Sequence, residues 1–332
     1  MTDRMLRHTV VWLALACIAL HAETGVCSSP VTVIFDTDIS TDVDDVGAVA
    51  VLHALADRGS VEILGMMVSS GDPWSAPCLA ALNTWFGRRD IPVGAVSGRS
   101  VSEESTYTKA LASSSLQEQE QPAESVALYR KLLAEQPDLS VTVITVGYLT
   151  NLAGLLSSQA DDVSRLDGRE LVRKKVRMLV CMGGTYPSGR EWNFYQDSRS
   201  TAEVVNNWPG AILFCGYERG VSVLTGAGLK QSQPGNPVRR AYELYNGLSD
   251  RPSWDQLTVL IGSQNGEVLE GVAGFFDVVR GVNVVNEDGS NRWMPLADGP
   301  HGYVTSAISD RQLEERIEGL MAAAVEKAVN AR

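Results

Sequence analysis

Short apolar runs alternate along the chain with longer stretches in which apolar positions recur every three or four residues. This is the pattern of strands buried on both faces and joined by helices. Candidate strands fall at residues 31–35, 61–68, 92–96, 141–146, 176–182 and 211–215. After Asp44 and Asp45, which suit a helix N-terminus, Val46, Val49, Leu52 and Leu55 recur at helical spacing until Gly59 offers a stop. Residues 76–86, 124–135, 151–156, 200–206 and 254–261 read as helices in the same way. The alternation predicts an α/β fold with a mainly parallel central sheet and helices on both faces. Near the end the rhythm changes: residues 276–285 and 292–296 flank Asn286-Glu287-Asp288-Gly289, which predicts a small antiparallel hairpin, and a helix over 310–329 closes the chain. Residues 97–121 are polar and without period, and read as a mobile loop.

A chain of 332 residues with 44% hydrophobic and 20% charged positions can bury one sizeable core. The formal charge of −12 argues against a nucleic-acid backbone or an anionic membrane as partner, because both would repel it. Arg4 and Arg7 precede the apolar run 10–20, and Ala22 follows as a small residue at a cleavage point, so residues 1–22 read as a signal peptide and 23–332 as one α/β domain. The run is shorter than the roughly twenty residues that span a bilayer, so no stable membrane insertion is expected. The expected location is secreted or periplasmic. Cys17 follows Ala14, Leu15 and Ala16, a weak likeness to a lipoprotein box. None of the five cysteines forms a CxxC pair, so neither a zinc cluster nor a redox motif is signalled; Cys78, Cys181 and Cys215 sit in apolar runs as small buried hydrophobes.

The most informative stretch is Asp36-Thr37-Asp38-Ile39-Ser40-Thr41-Asp42-Val43-Asp44-Asp45, where a buried strand ends and five carboxylates follow within ten residues. In an open α/β sheet the carboxyl ends of the strands are where ligands bind. Carboxylates crowded there must take up protons or recruit a cation, and a hard divalent ion with oxygen ligands, Ca²⁺ in particular, answers that need.

This stretch resembles the signature of the inosine-uridine-preferring nucleoside hydrolases, in its longer variant with two extra residues before the final Asp-Asp. Three further segments follow in order. Val146-Gly147-Tyr148-Leu149-Thr150-Asn151 resembles the family's Gly-Pro-Leu-Thr-Asn, Glu191-Trp192-Asn193-Phe194 its Glu-Phe-Asn, and Ser253-Trp254-Asp255 its His-Asp pair. The resemblance implies a Rossmann-like nucleoside hydrolase fold and hydrolysis of the N-glycosidic bond of ribonucleosides to ribose and free base. It assigns Ca²⁺ to Asp38, Asp45, Asp255 and the backbone carbonyl of Val146, with Asp38 as general base toward the attacking water. Asp44, Glu191 and Asn193 would hold the ribose hydroxyls, Asp72 stands where the family usually has Asn, and Asp36 and Asp42 would lie behind the ligands. A homo-oligomer is also implied.

The chain departs from the family where the leaving base needs stabilisation, since Trp254 replaces the usual histidine. Stacking of a purine on Trp254, with Trp192 and Trp74 as further candidates, could take over that task. His53 falls within a helix pattern, and His301 lies in the loop-like Gly299-Pro300-His301-Gly302-Tyr303. Two other readings stand beside the hydrolase. Asp36-Thr37-Asp38 after a strand also resembles the nucleophile motif of haloacid-dehalogenase-type phosphatases, with Mg²⁺ and Thr145 as phosphate ligand. A binding protein for ribose or nucleosides, with the metal site kept and turnover lost, would suit the missing histidine.

Overall fold

The computed structural model describes residues 29–114, 121–266, 268–272, 274–306 and 308–330. The expected signal peptide, Cys17 and Cys27 lie outside them. In chain order the strands are β1 Val31–Thr37, β2 Val61–Val68, β3 Val93–Ala95, β4 Ala123–Glu124, β5 Val141–Thr145, β6 Val176–Met182, β7 Ser188–Gly189, β8 Ile212–Cys215, β9 Leu224–Thr225, β10 Arg251–Pro252, β11 Phe276–Val285, β12 Asn291–Pro295 and β13 His301–Ser306.

Eleven of them form one sheet in the order β4-β3-β2-β1-β5-β6-β8-β13-β11-β12-β7. Pairing is parallel from β4 through β13 and antiparallel beyond. The hairpin β11–β12 is therefore no separate unit. It joins the sheet through β13, which Gly299, Pro300 and Gly302 made read as loop. The chain runs outward from β1 to β4 on one side and from β5 to β8 on the other, so the strand order reverses between β1 and β5. Such a switch point opens a crevice at the carboxyl ends of the strands.

Two apolar layers cover the sheet. One holds helices Asp44–Asp57, Ser75–Trp85, Pro237–Asn246, Trp254–Gly262 and Asp310–Asn330; the other holds Ser125–Glu135, Thr150–Ser157, Gly168–Lys175 and Ser198–Asn207. The helix Asp44–Asp57 differs from its expected amphipathic form. It is buried on all sides from Asp44 to Leu55, because Trp254–Gly262 packs beside it on the sheet and Asp310–Asn330 packs against both. One further feature departs from expectation. Residues 97–114 are partly built into the fold: Val101 bridges to Ser70, Tyr107 is fully buried, and Thr108–Ser113 is helical. Cys78, Cys181 and Cys215 are free and buried. No helix among the described residues is long and apolar enough to cross a membrane.

Candidate active site

The parallel register sets Asp36 opposite Thr145, and the Val146 amide then donates to the Asp36 carbonyl at 2.8 Å. Asp38 and Val146 therefore leave the sheet side by side at the switch point. Gly147 is needed there: a Cβ on it would lie 2.5 Å from the Asp38 amide nitrogen and 2.6 Å from the Asp38 Cβ and Cγ. The Thr37 hydroxyl donates to Asp45 Oδ1, and the Ile39 amide donates to the Thr37 oxygen at 3.1 Å. One threonine thus ties the strand end to the first turn of the next helix.

Asp44 and Asp45 open the helix Asp44–Asp57, and Asp255 stands in the first turn of Trp254–Gly262. The three carboxyl groups are buried and present oxygens within 4.8 Å of one another. Burial first, and the negative charges of neighbouring aspartates, Asp38 and Asp42 among them, second, push all three well above the usual carboxylate range. Asp38 is raised to about 8 by burial and by the negative charges of Asp42 and Glu191, against a backbone hydrogen bond and one from Tyr148. Buried carboxylates so close cannot all be ionised without a cation. Their donors, together with the Val146 carbonyl beside them, are all oxygen, which fits a hard divalent ion.

Above the cluster is a cavity of about 430 Å³, within the range of small-molecule sites. Asp38, Asp44, Asp45, Val146 and Asp255 line it, with Met182, Glu191, Trp192 and Asn193 on another side and Tyr217, Tyr245, Arg251 and Trp254 on a third. Glu191 caps the short helix Trp192–Gln196: its Oε1 accepts from the Asn193 amide at 2.8 Å, and its Oε2 from the amides of Phe194 at 3.1 Å and Gly184 at 3.3 Å. Burial outweighs these bonds and lifts it to about 7. Asn193 Nδ2 donates to the Val146 carbonyl at 3.0 Å, which links the short helix Trp192–Gln196 to the end of β5. Trp254 stacks on Tyr217 with ring centroids 5.5 Å apart and donates from Nε1 to the Tyr217 carbonyl at 2.8 Å.

The sequence-expected residues Asp38, Asp44, Asp45, Val146, Glu191, Trp192, Asn193, Trp254 and Asp255 are all brought to this cavity. Asp72 and Trp74 are not among its lining. Asp72 instead accepts from Thr108 Oγ1 at 2.7 Å and the Trp74 amide at 3.1 Å, so it organises its own loop. Asp36 is fully buried beneath the site, accepting from Tyr129 at 2.9 Å and from Asn151 Nδ2 at 3.1 Å. It has no access to a phosphate ester, and Thr145 is equally enclosed, which removes the phosphatase reading. His53 bonds Asn83 at 2.9 Å in the core, and His301 Nδ1 accepts from the Asn283 amide at 3.0 Å; neither lines the cavity.

Sequence reasoning missed Tyr217, Tyr245, Arg251 and Glu103 as cavity residues. Arg251 lies three positions before Trp254 in β10, and its Nε donates to Asp42 Oδ1 at 3.1 Å. A cation next to a site motif in an acidic chain was the available signal.

Residues 33–290 match the family model of the inosine-uridine preferring nucleoside hydrolases. No curated protein matches the chain by sequence. Solved structures share its fold. A plant nucleoside hydrolase is 17% identical with a TM-score of 0.64, covering 90% of this chain and 99% of that one. A purine-preferring ribonucleoside hydrolase from Gardnerella vaginalis is 15% identical with a TM-score of 0.66, covering 89% and 99%. An inosine-guanosine nucleoside hydrolase is 17% identical with a TM-score of 0.63, covering 89% and 98%. With the family model spanning most of the domain, and the aspartate cluster lying at its switch point, the chain belongs to the inosine-uridine preferring nucleoside hydrolase family.

Proposed function

We propose that the chain cleaves the C1′–N bond of ribonucleosides in this cavity, with Asp38 as general base and Ca²⁺ as the cation held by Asp38, Asp45, Asp255 and the Val146 carbonyl. The observation that carries the proposal is the convergence of Asp44, Asp45 and Asp255 beside a cavity that Asp38, Glu191 and Asn193 also line. A calcium ion among these oxygens supplies fixed positive charge that orients a water and lowers its pKa.

The protein's own groups do the rest. Breaking the bond builds positive charge on the ribose ring, and the surrounding carboxylates stabilise that charge. Asp38 accepts the proton that the water loses as it attacks C1′. One Asp44 oxygen is taken by the Asp255 amide, which leaves the other for a ribose hydroxyl. Glu191 and Asn193 hold the remaining sugar hydroxyls, and a 2′-deoxyribose would leave them unpaired in a buried site. The base lies against the Tyr217–Trp254 pair. Arg4, Arg7 and the apolar run after them support export of the enzyme, which N-terminal sequencing of the mature protein would check.

Release of reducing sugar from a panel of ribonucleosides, with and without chelator, tests the reading. Ribose should appear, cease on chelation and return with added Ca²⁺. Calorimetric nucleoside binding with no sugar released over long incubation would overturn it and favour a binding protein.

A further inference from the structure

Acidic side chains dominate the lining of the cavity, and among the described residues Arg251 is its single cation. Its Nε and Nη2 are bound to Asp42, and Nη1 has no hydrogen-bond partner among the described residues. The guanidinium lies 5.3 Å from the centroid of the Trp254 ring and 5.7 Å from that of Tyr245, on the aromatic side of the cavity. Asp42 thus stabilises and orients the guanidinium, and leaves Nη1 as its spare donor. No histidine among the described residues lines the cavity.

We infer that Arg251 is a catalytic residue on the leaving-group side, whose free Nη1–H donates to the departing nucleobase and stabilises the charge that collects on it. The inference rests on the nucleoside hydrolase reading above. As the C1′–N bond breaks, its electron pair passes to the base nitrogen. The water oxygen bonds to C1′, and its proton goes to Asp38 and then to solvent. The base leaves as an anion paired with the guanidinium and takes a proton from solvent, so that one water is consumed for one ribose and one neutral base. An arginine stays protonated throughout, and therefore acts by charge and hydrogen bonding rather than by giving up a proton. Asp42 fixes the plane of the fork, and the preference that follows is for bases whose ring nitrogens or carbonyl oxygens carry the anionic charge.

The test compares Arg251→Ala and Arg251→Lys with the intact enzyme on inosine and on a nitrophenyl riboside, whose leaving group needs little help. The expected loss for Arg251→Ala is about 100-fold or more in kcat on inosine, within the range for removing one transition-state donor, and only a few-fold on the nitrophenyl riboside. Added guanidinium should restore part of the inosine activity, and Arg251→Lys should fall between. Equal losses on both substrates in a folded variant that guanidinium does not rescue would overturn the role of Arg251 and leave the hydrolase reading intact. Absence of sugar release by the intact enzyme from either substrate would overturn both.

Discussion

Asp44 Oδ2 accepts a hydrogen bond from the backbone amide of Asp255 at 3.4 Å, across 211 residues of chain. Two helices thereby meet at their N-terminal ends, where both dipoles favour negative charge, and this offsets part of the repulsion between their first-turn carboxylates. The rest is left to protons or a cation.

Asp255→Asn should keep the shape of this junction and remove one anionic ligand. Ca²⁺ affinity is expected to fall by at least the about 10–100-fold that loss of a supporting group costs at a metal site, and activity should fall with it. Because a buried like charge is removed, the cation-free variant should unfold at the same temperature as the parent or higher. Calorimetric titration with Ca²⁺ that gave an unchanged affinity would count against the carboxylate cluster as the cation site.

Stability without cation should decline from acid to neutral pH. Burial raises Asp36 to about 7, Asp38 to about 8 and Glu191 to about 7, so the folded protein holds protons that the unfolded chain has released. Each contribution is complete below the unfolded values of 3.8 and 4.5, and is lost as pH rises through the folded value. The expected slope is about 1.4 kcal/mol per pH unit for each group between its two values. A bound cation favours the charged form of Asp38 and flattens its share, whereas Asp36, enclosed by Tyr129 and Asn151, keeps its own. Thermal unfolding from about pH 5 to 8, in chelator and in excess Ca²⁺, checks this. A stability that rose with pH in chelator would be the wrong sign.

The parts legible in the sequence were those written in local pattern. Strands β2 and β6 are apolar apart from Glu62 and Arg177 near their starts, and their expected bounds coincide with the observed ones. The four motif segments meet at the cavity because each side chain sits at a strand end or a helix start that its own neighbours define. What stayed hidden depends on distant partners. Strand β13 is short and flanked by Gly and Pro, and it becomes a strand only because β8 and β11 lie on either side. Arg251 reads as an ordinary surface cation until Asp42, 209 residues earlier, is brought against it. Asp72 belongs by position to the family pattern, but Thr108, in a segment without visible period, draws its carboxylate aside.

Trp254→Ala should slow purine nucleosides more than a nitrophenyl riboside. The ring stacks on Tyr217 at an interplanar angle of 28° and is held there by its own Nε1–H bond, so its removal strips the wall against which a base would lie. Base stacking on an aromatic side chain contributes about 1–3 kcal/mol, which corresponds to roughly a 5- to 150-fold loss. Trp254→Phe keeps a ring but loses the bond to Tyr217 and should fall between. Unlike Arg251→Ala, neither variant should respond to guanidinium. Equal loss on purine and nitrophenyl substrates would show that Trp254 acts on the site as a whole.

Gly147→Ala should impair the reaction more than the fold. The added methyl would sit 2.5 Å from the Asp38 amide nitrogen, so backbone rather than a flexible side-chain end must give way, and the general base moves with it. Overpacking of this kind costs about 1–3 kcal/mol of stability. A displacement of roughly 1 Å at a reacting group can cost about 100-fold in rate. The expected variant is therefore folded, somewhat less stable, and at least about 100-fold slower in kcat, with a smaller change in KM because Glu191 and Asn193, the proposed ribose ligands, are untouched. Gly319→Ala is the control, since a methyl there meets nothing within 4 Å in the long C-terminal helix and should leave turnover alone. Parental kcat in Gly147→Ala would mean that the position of Asp38 is not what limits the chemistry, and the general-base assignment would fall.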